Sequence, residues 1–178
     1  MSSRAVTTVE AVQGLRCRDP TLKWISLSIE KLTDSQLVEL VDCLLAHPDV
    51  VTRVYLEINQ LTDETGVKLA QYLAASSIIK YINLSYNQFG SATYLALAAA
   101  LRVNSSLRGL YLYYNQAVDQ THIDAAFVEA LRLNPIRPAM SCWALYSHDK
   151  NDFERLYDNA RILGPPSMLE QLRYCDRT

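Results

Sequence analysis

The side chains that could carry acid–base or metal chemistry in this chain are few and widely separated. His47 precedes a proline where a helix is expected to end, and His122 lies in the turn expected before another helix, so both favour surface or capping roles. His148 precedes Asp149 in a pair that matches no catalytic motif. No cluster of cysteine and histidine has metal-ligand spacing. The sequence therefore predicts neither a metal site nor a cofactor.

The four cysteines are equally dispersed, at Cys17, Cys43, Cys142 and Cys175. Such cysteines are typical of a reducing compartment, where they pack as small buried side chains. Cys175 precedes Asp176, as in some ligases with a catalytic cysteine, but those enzymes need a separate helical domain that this tail is too short to form. No nucleophile elbow, phosphate-binding loop or H-E-x-x-H motif occurs. We therefore expect a binding protein and not an enzyme.

An internal repeat predicts the helices and strands that position the candidate binding residues. The motif L-x-x-L-x-L-x-x-N-x-L occurs at 51–61, 79–89 and 107–117, so the copies lie 28 residues apart. A weaker copy at 22–32 has Glu30 in place of the asparagine, and a decayed copy begins at Ile136. Repeats of this length stack units that cannot bury their apolar face alone.

Two periodicities alternate within each copy. The alternation of apolar and polar residues predicts short parallel strands at 24–28, 53–57, 81–85 and 109–113. Apolar residues at helical spacing after the asparagine predict helices at 34–46, 64–75, 92–103 and 121–133. A short helix at 8–16, with Val9, Val12 and Leu15 on one side, is expected to cap the first copy. Helices at 151–163 and 167–175 are expected to cap the last.

The sequence therefore predicts an α/β fold of one domain, a short curved solenoid with parallel strands on the concave side and helices on the convex side. Its parts are an N-terminal cap at 1–20, repeats at 21–135 and a C-terminal cap or tail at 136–178. Asn59, Asn87 and Asn115 end the strands, where buried amides can satisfy turn backbone groups that have no ladder partner.

The amino-acid composition argues against some classes of binding partner. The net charge of −2 and the isoelectric point of about 5.9 give no basic excess for nucleic acid. No apolar run reaches the roughly 18 residues of a membrane span, and residues 1–14 lack the apolar core of a secretory signal. We expect a cytoplasmic monomer that binds an unidentified protein.

The motif resembles the ribonuclease-inhibitor class of leucine-rich repeats over about residues 20–134. NLR-type receptors and many bacterial effectors carry this class, and the divergent tail without a signal peptide looks like a secreted effector that acts in the host cytoplasm. Gly66 matches the family's glycine, but Tyr94 stands 28 residues later, so looser helix packing is expected there.

The resemblance implies that the outward strand positions form the binding surface. Six of the eleven tyrosines lie at strand or strand-end positions, and tyrosine and tryptophan dominate protein interfaces. An aromatic ladder that only stiffens the sheet is the alternative. The predicted partner-binding residues are Trp24, Arg53, Tyr55, Glu57, Tyr81, Asn83, Tyr86, Tyr111, Tyr113 and Tyr114.

An alternative function is GTPase activation, because a Ran-type activator family uses this repeat class. Arginine can stabilise charge in phosphoryl transfer, and Arg53 is the only arginine on the predicted concave strands. The competing interpretation makes Arg53 a rim charge paired with Glu57.

Overall fold

The computed structural model of the chain describes residues 7–116 and 120–134. Helices and strands alternate through this part of the chain. Their order is α1 (Thr8–Arg16), β1 (Trp24–Ser26), α2 (Asp34–Ala46), β2 (Arg53–Tyr55), α3 (Asp63–Ala75), β3 (Tyr81–Asn83), α4 (Ser91–Leu101), β4 (Gly109–Tyr111) and α5 (Gln120–Leu133). The helix bounds lie within two residues of those predicted.

The four strands form one parallel sheet in the order β1-β2-β3-β4. Equivalent positions of the repeat are paired, with Trp24 opposite Arg53, Arg53 opposite Tyr81, and Tyr81 opposite Gly109. The predicted parallel pairing and register are confirmed. Each strand has three residues and not five, but in-step hydrogen bonds continue beyond it, as from Leu27 N to Tyr55 O at 3.0 Å.

One hydrophobic core lies between the sheet and the helices. The inward strand residues Ile25, Val54, Ile82 and Leu110 are fully buried and belong to the same cluster as the apolar faces of α1 to α5. Burial of each such side chain contributes about 1.5–3 kcal/mol. Each helix packs against the next one. The predicted α/β class is therefore confirmed at this level of description.

The packing between α3 and α4 is close, which corrects the expectation of looser packing there. A Cβ added at Gly66 would lie 2.0 Å from Thr93 Oγ1 and 2.8 Å from Phe89 Cδ1, so only glycine fits. Tyr94 is 1% exposed, and its hydroxyl donates a hydrogen bond of 2.9 Å to Leu112 O. Burial raises the pKa of this hydroxyl. The larger side chain is accommodated because its polar end has a backbone acceptor.

The predicted N-terminal capping helix is present as α1, where a capping box joins Thr7 and Glu10. Val12 and Leu15 are buried as expected, but Val9 is 76% exposed and Ala11 occupies the buried face in its place. None of the described helices is both long and apolar enough to cross a membrane. The predicted helices at 151–163 and 167–175, and the whole 136–178 tail, lie outside the described residues.

Candidate functional site

A ladder of three asparagines shapes the edge of the sheet where the strands end. Asn87 Nδ2 donates to Leu84 O in its own turn at 3.2 Å and to Leu56 O in the preceding unit at 2.9 Å. Its Oδ1 accepts from Leu61 N at 3.1 Å. Asn59 and Asn115 make equivalent bonds. The predicted structural role is thus confirmed, with each amide serving its own turn and the one before it.

The residue before each of these asparagines, and before Glu30 at the equivalent position of the first unit, has a left-handed backbone. The φ angles are 67° at Ile29, 58° at Ile58, 56° at Tyr86 and 54° at Tyr114. Glycine and asparagine adopt this conformation most easily, whereas a β-branched isoleucine does so at a cost. All four side chains are exposed, by 67%, 44%, 49% and 44%. They form a column along the strand-end edge, which we call the edge column.

The two tyrosines of the edge column contact each other. The rings of Tyr86 and Tyr114 are stacked, with centroids 4.4 Å apart and planes 22° apart. Partial desolvation, and then the neighbouring Tyr114, raise the pKa of the Tyr86 hydroxyl. This pair presents a flat aromatic surface to solvent.

The face of the sheet that points away from the helices, here called the open face, carries most of the predicted binding residues. Trp24, Arg53 and Tyr81 share its first row across β1, β2 and β3. Tyr55, Asn83 and Tyr111 share the second row. All of these, with Glu57 and Tyr113, are half-buried. The structure therefore brings the predicted residues onto one surface, with Trp24 on the outer strand β1.

The first row has a defined local arrangement. The guanidinium carbon of Arg53 lies 5.7 Å from the ring centroid of Tyr81, at cation–π distance. A Cβ added at Gly109 would lie 2.9 Å from Tyr81 Cδ1 and 3.2 Å from Tyr111 Cε2. Gly109 is therefore buried because the rings of Tyr81 and Tyr111 cover it. This contact holds both rings beside each other on the open face.

Two sequence expectations for this face are wrong. Arg53 forms no ion pair with Glu57 among the described residues and lies instead over Tyr81. Ser85 ends the strand predicted at 81–85, where the alternation that points Tyr81 and Asn83 outward predicts an outward side chain, but it is 4% exposed, and its Oγ accepts a hydrogen bond of 3.2 Å from Tyr113 N. Glu57 and Tyr113 occupy the equivalent position in the neighbouring units and are half-buried. The smaller side chain of Ser85 instead bonds to the backbone of the next unit.

The described histidines and cysteines do not converge on this surface. His47 is the C-terminal cap of α2, and His122 lies inside α5 and not in the turn before it. Cys17 is an exposed free thiol and Cys43 a buried one. Among residues 7–116 and 120–134, no group of metal-ligating side chains could hold an ion. His148, Cys142 and Cys175 lie outside the described residues.

A charged feature that the sequence reasoning missed lies where the strands begin. Lys23, Thr52, Lys80 and Arg108 each precede a strand at the same position of the repeat. A backbone ladder joins them, with Thr52 N bonded to Lys23 O, Lys80 N to Thr52 O, and Arg108 N to Lys80 O at 2.7–2.9 Å. Three of the four are cationic. The 28-residue spacing between Lys80 and Arg108 was the signal that could have revealed them.

Comparison with protein-family models gives no match, and comparison with curated protein sequences gives none either. Solved structures do match the fold. Leiomodin-1 actin-binding site 2 aligns with a TM-score of 0.72 and 18% identity, over 98% of this chain and 94% of that one. The tropomodulin C-terminal domain from Caenorhabditis elegans aligns with a TM-score of 0.74 and 13% identity, over 96% of this chain and 98% of that one. Identities this low show a shared fold alone.

These neighbours correct the assignment to the ribonuclease-inhibitor class. The leiomodin and tropomodulin domains that share the fold are actin-binding and tropomodulin structures by their descriptions, so the bacterial-effector interpretation and the GTPase-activator alternative are both wrong. The position of Arg53 over Tyr81 also differs from that of a free catalytic arginine. Neither neighbour is described as an enzyme, which agrees with the expectation of a non-enzymatic binding protein. The repeat motif had determined the packing of the units and not the class of protein.

Proposed function

We propose that this chain is an actin-binding domain. The observation that carries the proposal is the match over 98% of the chain to a structure described as an actin-binding site of leiomodin-1. The alignment covers nearly the whole of both chains, so the comparison concerns the complete arrangement of units and not one shared motif. Actin binding is a non-enzymatic role, in keeping with the dispersed histidines and cysteines of this chain.

The open face is the surface proposed to contact actin. Its aromatic side chains are half-buried, so they are positioned by the sheet yet still present area to a partner. Tyr81 and Tyr111 are held side by side over Gly109, and Arg53 lies against Tyr81. Tyrosine and arginine are enriched among interface residues that contribute most to binding free energy. The remaining proposed contacts are Trp24, Tyr55, Glu57, Asn83, Tyr86, Tyr113 and Tyr114.

Substitution of Tyr111 by alanine tests this surface. We expect the affinity for actin, measured by co-sedimentation with filaments and by anisotropy of labelled monomers, to fall by roughly 2 kcal/mol. Tyr111 is not in the core, so the melting temperature should change little. Val103→Ala is the control, because Val103 is 63% exposed at the end of α4. Lost stability with intact affinity would assign the tyrosine to sheet stiffening and move the binding site elsewhere.

The proposal also covers the curvature of the stack, the caps at its two ends, the location in the cell and the oligomeric state. We propose that the four strand–helix units form a short curved leucine-rich-repeat solenoid, with caps at 1–20 and 136–178, and that the chain is a cytoplasmic monomer. The paired register of the strands supports the repeat, because equivalent residues face each other in every unit. Small-angle scattering together with light scattering would measure both curvature and mass.

A further inference from the structure

The distribution of charge along this chain is uneven. No aspartate or glutamate occurs between Glu64 and Asp119, although acidic residues outnumber basic ones in the chain as a whole. The segment contains Lys68, Lys80, Arg102 and Arg108. It spans most of α3 and all of β3, α4 and β4. The second half of the sheet is therefore locally basic in a protein of net negative charge.

Two of these cations are direct neighbours and have no acidic partner among the described residues. Arg108 N donates to Lys80 O at 2.7 Å, and Gly109 N donates to the same oxygen at 3.0 Å, so Lys80 and Arg108 lie side by side at the start of β3 and β4. Neither has a carboxylate at ion-pair distance in the described part of the chain, whereas Lys68 pairs with Asp42 at 3.0 Å. Like charges opposite each other on adjacent strands are destabilising, so this arrangement does not serve the fold.

Arg53 adds a third cation to the same part of the surface. It lies on β2, and its guanidinium covers Tyr81, the residue that follows Lys80. Lys80 and Arg108 directly precede Tyr81 and Gly109, the first-row residues next to Arg53, so the three cations occupy neighbouring positions where the strands begin. We call this group the basic corner. It offers one ammonium group and two guanidinium groups, and all three side chains are half-buried and so still partly accessible to a partner.

We propose that the basic corner binds an acidic segment, rich in aspartate and glutamate, of the protein partner. The proposal rests on the proposed function, because it specifies the chemistry of the partner at the same open face. Charge complementarity is its basis, since carboxylates would remove the repulsion between Lys80 and Arg108 and bond bidentately to the arginines. Nucleic acid fits less well, because three cations on a chain of net charge −2 form no continuous basic stripe.

Charge reversal with a matched control tests the corner in the full chain. The double variant Lys80→Glu, Arg108→Glu should lose at least about tenfold in affinity for actin at low salt, and the wild-type affinity should weaken as salt is raised. The control Lys31→Glu, Arg102→Glu changes net charge equally at exposed sites on the opposite edge and the helix layer. It should stay within about twofold of wild type, and both variants should keep the wild-type circular dichroism spectrum.

A second probe separates failure of this inference from failure of the proposed function. In a nuclear magnetic resonance titration with a polyglutamate peptide, shifts should be confined to the amides around Lys80, Arg108 and Arg53, and should vanish in the double reversal. That result would support binding of an acidic segment by the basic corner even if the chain does not bind actin. Actin binding that is insensitive to the reversal, or an absence of peptide shifts at millimolar peptide, overturns the inference. Tighter binding of phosphatidylserine vesicles or polyphosphate through the same residues overturns it in favour of a phosphate ligand.

Discussion

At the scale of single residues, Asn59, Asn87 and Asn115 connect neighbouring units through their side-chain amides. The three asparagines are nearly buried, with residue exposures of 8%, 7% and 8%. This geometry also explains Glu30. Asn59 reaches back to Leu27 O and Leu32 N, and these bonds satisfy the first turn without an asparagine of its own.

Substitution of Asn87 by alanine should lower the free energy of unfolding by about 1–3 kcal/mol, because Leu61 N would lose its acceptor inside the protein. Leu56 O and Leu84 O would each lose one of two donors and keep the bonds from Asn59 and Asn115. Urea denaturation followed by circular dichroism measures this. Gln88→Ala is the control, since Gln88 is exposed. A change of only a few tenths for Asn87→Ala would show that water replaces the amide.

At the scale of the elements, aspartates at the start of one helix cap the next. Asp34, in the first turn of α2, accepts hydrogen bonds from Thr62 N at 3.0 Å and Thr65 N at 3.2 Å, and its Oδ2 accepts from Thr62 Oγ1 at 2.8 Å. Asp63 does the same for α4 through Gly90 N and Thr93 N. These bonds satisfy free N–H groups at helix ends and fix the offset between consecutive helices.

The Asp34 cap predicts a pH dependence of stability. Burial raises the pKa of Asp34, but the hydrogen bonds from Thr65 and Thr62 outweigh it, so the pKa lies below its ordinary value of 3.8. A carboxylate with a depressed folded-state pKa contributes stability that is present above the unfolded pKa and lost as the pH falls through the folded one. Acid destabilisation below about pH 4 should therefore include this group.

Asp34→Asn should be less stable than wild type by about 1–2 kcal/mol at pH 7, and the difference should shrink as the pH falls below 3.8. Denaturation curves at several pH values measure it. Asp42→Asn is the matched control, because Asp42 makes only an exposed ion pair with Lys68. A difference that is constant across this range would show that the charge of Asp34 has no part in the cap.

The helix ends form a second ladder. Asn104 Nδ2 donates to Leu73 O at 2.7 Å and Ser76 O at 2.8 Å, and Asn134 Nδ2 donates to Asn104 O at 2.9 Å. Ser76 occupies the equivalent place one unit earlier, where its Oγ donates to Pro48 O at 2.6 Å. Each helix end is thereby joined to the next unit. Both edges of the stack, and not only the strand ends, are held by side-chain amides or hydroxyls.

At the scale of the whole molecule, the edge column crosses all four strand ends and breaks two local rules. Ile29 and Ile58 are exposed apolar residues in a left-handed conformation, where asparagine would suit both the backbone and the solvent. Residues that violate local rules without a packing reason are characteristic of surfaces with another use. The column also continues the open face past the strand ends.

The double variant Ile29→Asn, Ile58→Asn should therefore raise the free energy of unfolding, by about 0.5–2 kcal/mol in total. Val9→Asn is the control, because Val9 is even more exposed, at 76%, but has a helical backbone, so no gain is expected there. Thermal and urea unfolding measure both. A loss of stability in the double variant would mean that the isoleucines make stabilising contacts within the column.

The repeat in the sequence determined the strand–helix units, their parallel order and the structural role of the asparagines. These follow from local periodicity and equal spacing, which place equivalent residues beside each other once the units stack. The same spacing predicted most residues of the open face. It did not predict that the Ser85 side chain is buried. The Ser85 hydroxyl bonds to the backbone of the next strand, and this bond depends on Tyr113, which is 28 residues away.

Only the tertiary structure decided what the side chains do between units. The contacts that matter most join residues from different copies of the repeat. They are the contact of Arg53 with Tyr81, the covering of Gly109, the asparagine and aspartate bonds to adjacent units, and the neighbouring charges of Lys80 and Arg108. The class of protein was also misjudged from the sequence. A repeat motif records the apolar spacing within each unit, whereas the likeness to leiomodin and tropomodulin is a match of the fold over 94–98% of the chains at low sequence identity.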